Sequence, residues 1–492
     1  MAHIVYEGFP AFERNSDATP SAPAYPPPAV EKGLSVRDKV EIWNCLTVFN
    51  VIRQRGPVTQ ADIIEETNLS SGAVSQFVTL LADKGLVGRV PDEWLPREAF
   101  SSVGRKRVYW DVSDATGYVI AIDIGQTHLR VVVADLRARL KTAHTSGART
   151  NSTDAATWNL SYFRNFRLAD GPDRALAYVG RVVRDHLKRL NIPLDANQIV
   201  AIAVGIPGHV DTARQTVYMP VAAGRWSRVN VALRLAQALG ISDESGSAVE
   251  AIPIFVENNA NLGVIGVTHH PGLRSSACQN DMGARAINDE PQQGVIYVKV
   301  GASIEAGLFL NRALYRGGQG VAGDIGHFQV REEGVLPCAC GRKHCLDMVA
   351  GSEAVIAASK IARDDRLPRD LIERVVQGAV DGDEHCRAAI ATAGSAVGQA
   401  LVSLIKTLNP TEIVVDGAIV HSEGHFLNAM RAAVDAGIGE EDSATGSRAI
   451  PVIRDLHKNA HAINYGGIYC AIEGGWQAYV IARAYPNGAA AR

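Results

Sequence analysis

The stretch that most constrains this chain is GDIGHFQVREEGVLPCACGRKHCLD, residues 323 to 347, because it gathers four soft metal ligands into one short segment. His327 supplies an imidazole and Cys338, Cys340 and Cys345 supply thiolates. Such a set fills a tetrahedral Zn2+ site and leaves no position open for a catalytic water, so the expected metal is structural. Three cysteines around a glycine, amid Arg342, Lys343 and His344, are not composed like reduced core residues. Asp324 and His327 lie three residues apart and share a face if the segment is helical. An imidazole bound to zinc through one nitrogen keeps an N–H on the other for an outer acceptor, which here could be a ligand hydroxyl.

The chain has 492 residues, 47% hydrophobic and 21% charged, enough for several domains with real cores. No run approaches the roughly 18 consecutive apolar residues of a membrane span, and MAHIVYEGFPAFERN is not a basic region leading into an apolar one. A cytoplasmic protein with no membrane partner is expected. The cysteines outside the metal set, Cys45, Cys278, Cys386 and Cys470, are scattered, which fits a reducing compartment rather than a disulfide framework. A net charge of -3 gives no global sign of nucleic acid, so any such contact must be local.

Residues 1–34 are rich in proline, alanine and serine and are expected to form a disordered arm. From Ser35 an apolar face of Val40, Ile42, Trp43, Leu46, Val48, Phe49, Val51 and Ile52 predicts a helix stopped by Gly56-Pro57. A short helix near Thr59 to Glu66, a turn at Asn68 and a longer helix from about Ser70 to Lys84 follow, with Ser70 or Ser71 as N-cap. Ile63, Ile64 and Leu69 face inward with Val74, Phe77, Val78 and Leu81, while the longer helix presents Ser71, Ala73, Ser75, Gln76 and Thr79 as a small, polar face suited to a major groove. LVGRV and RKRVYWDV read as two wing strands, with Arg105, Lys106 and Arg107 at the turn for phosphate contact. Residues 35–112 therefore resemble a winged helix-turn-helix DNA-binding domain. Lys and Arg there balance Asp and Glu, so the order of elements carries this reading, not charge.

From Gly117 the pattern changes to strands ending at glycine turns. YVIAIDIGQTHLRVVVADL is a hairpin around Asp123, Gly125 and Thr127, whose backbone amides suit a phosphate. IVAIAVGIPGHVD, IPIFVENNANLGVIG, GVIYVKVGASIEAGLFL and TEIVVDGAIV repeat the style. Helices such as Asp173 to Leu190 and Gly394 to Leu408 alternate with them, which indicates α/β lobes. The polar stretch from Gly272 to Gln293 reads as a surface loop.

With the zinc stretch at 327–345, the Asp123 hairpin, GIPG at 205–208, ENNAN at 257–261 and VDG at 415–417 in order, residues 117–485 resemble the ROK family. The resemblance implies a two-lobed, actin-like ATPase fold in which the cysteine-rich loop holds zinc and sugar binds between the lobes. It places sugar contacts at Gly208, Asn258, Asp324, His327 and Asp347. Kinase members carry Asp where this chain has Asn259, and an amide cannot take the proton of an attacking hydroxyl, a loss of about 10² to 10⁴ in rate. Gln126 and the Ser303 and Glu305 of VGASIEAG also replace the glycines of the two phosphate turns. A side chain there blocks backbone approach, and a carboxylate repels a polyphosphate. The resemblance thus implies a regulator that senses sugar or a sugar phosphate at a site including Asn259, binds operator DNA as a homodimer or tetramer, and uses Zn2+ but not ATP. The alternative is an active sugar kinase fused to a DNA-binding head.

Overall fold

Reciprocal caps set the helices of the head. Ser35 accepts the Asp38 N–H at 3.1 Å and gives its hydroxyl to Asp38 at 2.8 Å, opening α1 (Val36–Arg55). After β1 (Val58–Thr59), Thr59 and Asp62 repeat the device for α2 (Gln60–Thr67). Asn68 ends α2 in the left-handed conformation at φ 56°, and Ser70 starts α3 (Ser71–Asp83) by accepting the Ala73 N–H. β2 (Val87–Arg89) and β3 (Tyr109–Val112) pair antiparallel, with β1 on the other edge of β3. This is the expected winged helix-turn-helix, with one correction. Val40 and Trp43 are 53% and 60% exposed and form with Val36 a separate apolar stripe, while Ile42, Cys45, Leu46, Val48, Phe49 and Ile52 make the core.

The computed structural model describes residues 35–95, 107–114, 116–126, 128–141, 166–219, 226–242, 252–273, 294–332, 334, 336–338, 340–362, 368–438, 451–456 and 460–486. The expected arm at 1–34, Arg105, Lys106, Thr127, Cys278 and nearly all of the 272–293 loop lie outside them.

The first lobe begins with the hairpin β4 (Tyr118–Ile124) and β5 (Leu129–Asp135), followed by α4 (Pro172–Arg189) and β6 (Ile199–Ile206). A small meander of β7 (His209–Asp211), β8 (Thr216–Tyr218) and β9 (Ser227–Asn230) leads through α5 (Val231–Leu239) to β10 (Ile254–Asn258). Its main sheet has the order β10-β6-β4-β5, with β6 and β10 added parallel to β4. α6 (Asn259–His269) then crosses to the second lobe.

There β11 (Val295–Val300) and β12 (Ile304–Leu310) form another hairpin, edged by β13 (Ala313–Leu314). α7 (Asp347–Ala350), α8 (Ser352–Ala358), α9 (Pro368–Val380) and α10 (Glu384–Leu408) precede β14 (Glu412–Asp416), α11 (His425–Ile438) and β15 (Val452–Asp455). The order β13-β12-β11-β14-β15, with β14 and β15 parallel to β11, repeats the plan of the first lobe. α10 starts ten residues before the expected Gly394 because Asp383 caps it by accepting the Cys386 N–H at 2.9 Å. By length and composition it is apolar enough to cross a membrane, but it lies mostly buried in the second lobe.

The last helix, α12 (Ala462–Ala484), returns to the first lobe and ties the molecule together. A Cβ on Gly466 would strike the Leu262 carbonyl, and one on Gly266 the Ala462 carbonyl, so α6 and α12 meet backbone to backbone. The far part of α12 receives the head. Phe49 stacks on Trp476 at 5.7 Å, and Arg53 pairs with Glu473 at 2.8 Å while lying 5.1 Å from the Trp476 ring. One hydrophobic core therefore runs from α1 through α12 to α6 and Tyr297 of the second lobe.

Candidate functional site

The N-terminus of α6 stands at the mouth between the lobes. Asn258 caps it, its Oδ1 accepting the N–H groups of Ala260 and Asn261 while its Nδ2 donates to the Gly208 carbonyl at 2.9 Å. Gly208 has φ 96°, and a side chain there would meet Met219, so the turn needs glycine. Glu257 is buried, accepts from Asn261 Nδ2 at 2.8 Å and pairs with Arg316 of the second lobe at 2.7 Å.

Across the cleft, Asp324 lies 3.2 Å from His209 Nε2. The segment carrying Asp324 and His327 is a succession of turns rather than a helix, so the shared-face argument does not hold: Asp324 turns to the first lobe. Burial would raise the Asp324 carboxyl, but the hydrogen bond from His209 and the charges of His327 and His209 outweigh it and hold the group below the usual carboxylate range. The same hydrogen bond raises the His209 imidazole, against the opposing effect of burial. Asp347 begins α7 and accepts the Ile304 N–H at 2.7 Å. Burial pushes its carboxyl up to about 7, aided by Glu305 and Asp324, and Gly326 lies so close that a Cβ there would strike the carboxylate.

Glu305 is the unexpected member of this group. Sequence placed it in a phosphate turn, yet its Oε1 accepts the Gly208 N–H at 3.2 Å and its Oε2 lies 3.5 Å from Lys299 Nζ. It joins β12 of the second lobe to the Gly208 turn of the first. Neither Glu305 in this role nor His209 and Arg316 were identifiable as site residues, since each meets a partner far away in the chain.

Asn259 is fully buried and points elsewhere. Its Nδ2 donates to the Ile124 carbonyl at 3.0 Å, and its Oδ1 sits over Gly205. The hairpin turn beyond it is closed: the Gly125 N–H donates to the His128 carbonyl at 2.9 Å, and the His128 ring covers Gly125. That amide is therefore committed within the turn, in contrast to the phosphate-cradling role the sequence suggested. Burial would raise the Asp123 carboxyl, but His128 at 3.3 Å and Arg130 at 3.1 Å, with Lys299 beyond, hold it well below the ordinary range.

The four sequence-assigned ligands do converge. His327, Cys338, Cys340 and Cys345 bring one donor atom each within 4.8 Å of one another. His327 Nδ1 lies 3.6 Å from Cys338 Sγ, and Cys340 Sγ lies 3.3 Å from Cys345 Sγ. Tetrahedral bonds of about 2.3 Å give ligand separations of roughly 3.8 Å, so the set fits a metal ion. The Arg342 N–H draws the Cys340 thiol down to about 7, whereas burial raises the thiols of Cys338 and Cys345, so the fit to a metal rests on the geometry of the four donors. With Nδ1 turned to Cys338, His327 keeps Nε2 on the far side of its ring, and the imidazole lies within electrostatic reach of Asp324.

In the head, Ser71, Ser75, Gln76 and Thr79 are exposed along α3, Ala73 is half-buried and Ser70 is the cap. Arg107 is exposed immediately before β3.

A winged-helix head is thus joined to two α/β lobes whose sheets share one plan. Sequence comparison agrees: the model described as ROK family matches residues 279–460, and that described as MarR family matches residues 43–93. The ROK match spans the second lobe, and the MarR match lies in the head. It is similar to the xylose repressor of Bacillus subtilis, at 22% identity over 85% of this chain and 92% of that one. It is equally similar, at 22% identity over 81% of this chain and 86% of the other, to the N-acetylglucosamine repressor of Escherichia coli O6:H1. A crystal structure of a ROK family transcriptional regulator, a homolog of the E. coli MLC protein, superposes with TM-score 0.62 and 18% identity, covering 90% of this chain and 99% of that one. It shares the fold.

Proposed function

We propose that this protein is a sugar-responsive transcriptional repressor of carbohydrate uptake or metabolism genes, acting in the cytoplasm as a homodimer or tetramer. The observation that carries the reading is the helix pair α6–α12, which starts at Asn258 in the cleft and ends against Phe49 and Arg53 of the head. An occupant of the cleft thus sits one rigid pair of helices from the DNA-binding element. Ser70, Ser71, Ala73, Ser75, Gln76 and Thr79 present α3 to the major groove, and Arg107 with Arg105 and Lys106 meets the backbone. The sugar is held by Gly208, Asn258, Asp324, His327 and Asp347, with Asn259 beneath them. The Cys3His cluster holds Zn2+ and fixes His327 and Asp347 in one loop. Named relatives that are xylose and N-acetylglucosamine repressors support pentoses and amino sugars as the first candidates.

The domain acts without chemistry. Asn259 is an amide donating to a backbone carbonyl, and the hairpin that would face phosphate is filled by His128. A coupled assay with ATP and sugar is expected to give turnover far below 1 s⁻¹, and turnover at or above that rate would replace the repressor reading with that of a kinase. Asn259→Asp does not restore it. A carboxylate there faces the Ile124 carbonyl in a buried site and costs about 1 to 3 kcal/mol at neutral pH. The cost shrinks as pH falls, because the protonated carboxyl again donates to Ile124. Urea unfolding of this variant at pH 5 and pH 8 measures both effects, and equal losses at the two values would contradict the assigned hydrogen bond.

A further inference from the structure

Glu305 stands where an anionic ligand would be most penalised. Its side chain is 13% exposed, its carboxylate spends Oε1 on the Gly208 N–H at 3.2 Å, and the buried Oε2 has no hydrogen bond, with the Lys299 ammonium 3.5 Å away. Gly208 is fixed from its other side by Asn258, so Glu305 borders the same turn as the cap of α6. Asp347 accepts from Ile304, the residue next to Glu305, and lies within electrostatic reach of Glu305, Asp324 and Lys299. His209 feels both Asp324 and Glu305. On the adjacent hairpin, Asp123 holds Arg130 and His128 for itself. The cleft floor thus carries Glu305, Asp324 and Asp347 against Lys299, His209 and His327, and Arg130 and Arg316 are each paired with a carboxylate.

We propose that Glu305 is a specificity-determining residue, which makes the cleft accept an uncharged sugar and reject the phosphate ester of the same sugar. The proposal rests on the sugar-binding reading above and narrows it to one chemical class of effector. Hydroxyl groups can donate to Asp324, whereas a phosphate dianion only adds acceptors beside carboxylates; the buried Oε2 of Glu305 acts through its charge. One unit of like charge at about 6 Å, at an effective dielectric near 20, is worth roughly 100-fold in affinity. Counterions and relaxation screen part of it, so a discrimination of about tenfold or more is expected.

The test is calorimetric titration of the full-length protein, at fixed low salt, with matched pairs: glucose and its 6-phosphate, N-acetylglucosamine and its 6-phosphate, xylose and its 5-phosphate. In the wild type, the free sugar that binds should do so at least about tenfold more tightly than its ester. Glu305→Gln keeps the shape, removes the charge and should shift the ratio toward the ester by about tenfold, whereas Lys299→Gln should shift it the opposite way. A merely structural role for either residue would not give shifts of opposite sign. An ester bound as tightly as its sugar by the wild type, or a ratio that neither substitution moves, overturns the proposal and leaves sugar sensing standing. Binding of no sugar and no ester by a folded, duplex-binding preparation overturns the sugar reading itself, and this proposal with it.

Discussion

Arg53→Ala is expected to lower stability by about 3 kcal/mol and to weaken the link between cleft and head. The guanidinium is 6% exposed, bonds Glu473 and Asn50 at 2.8 Å each and lies over the Trp476 ring. Breaking one side of a buried pair typically costs about 3 to 5 kcal/mol, and the lower end applies because Glu473, at 26% exposure, can be partly rehydrated. Trp476→Ala removes the ring beneath Phe49 as well and should cost about 3 to 5 kcal/mol. Urea midpoints measure the stabilities. Duplex affinity without sugar should stay near the wild-type value, since α3 is untouched, while the change produced by sugar shrinks. An undiminished sugar effect in a destabilised Arg53→Ala protein would show that the signal does not pass through α12.

Cys345→Ser is expected to abolish stoichiometric metal binding and, with it, most of the sugar response. Cys345 is fully buried, its Sγ lies 3.3 Å from that of Cys340, and its loop carries Asp347 two residues on. A metal present at a thousand times its dissociation constant contributes about 4 kcal/mol to the folded state, and the variant loses that contribution. Metal analysis by atomic emission, thermal melting with and without chelator, and sugar titration give three independent readouts. Zinc content and sugar affinity unchanged in Cys345→Ser would refute both the ligand assignment and the claim that the loop orders His327 and Asp347. A protein that loses metal yet binds sugar normally would separate the two and confine the metal to stability.

The parts legible in the sequence are those encoded within one local segment. Ser70 ahead of an apolar run marked the cap of α3, and the spacing of Cys338, Cys340 and Cys345 marked a cluster that the fold brings together. Asn258 ahead of an apolar run marked the start of α6. The misreadings have physical causes. Periodicity showed that Val40 and Trp43 were apolar but not that α1 has two apolar stripes, only one of which meets the head's core. The spacing of Asp324 and His327 signified a shared face only in a helix, and the chain there runs in turns that send Asp324 to His209. Glu305 looked like an obstruction to phosphate because its neighbour in space, Gly208, lies 97 residues away in sequence. Contacts between lobes depend on how two sheets are set against α6, and no local pattern carries that information.

Occupation of the cleft is expected to change how the head binds a duplex. Sugar can act only by its differential affinity for the states with and without DNA, and about 100-fold corresponds to roughly 2.7 kcal/mol. The direct measurement is fluorescence anisotropy of a labelled duplex, selected from random sequence by the full-length protein, titrated with and without the best-binding sugar. The expected result is a duplex dissociation constant about 100-fold larger at saturating sugar, with the same factor recovered when sugar is titrated against the protein–duplex complex. Identical duplex affinity with and without a sugar that calorimetry shows to be bound would contradict it.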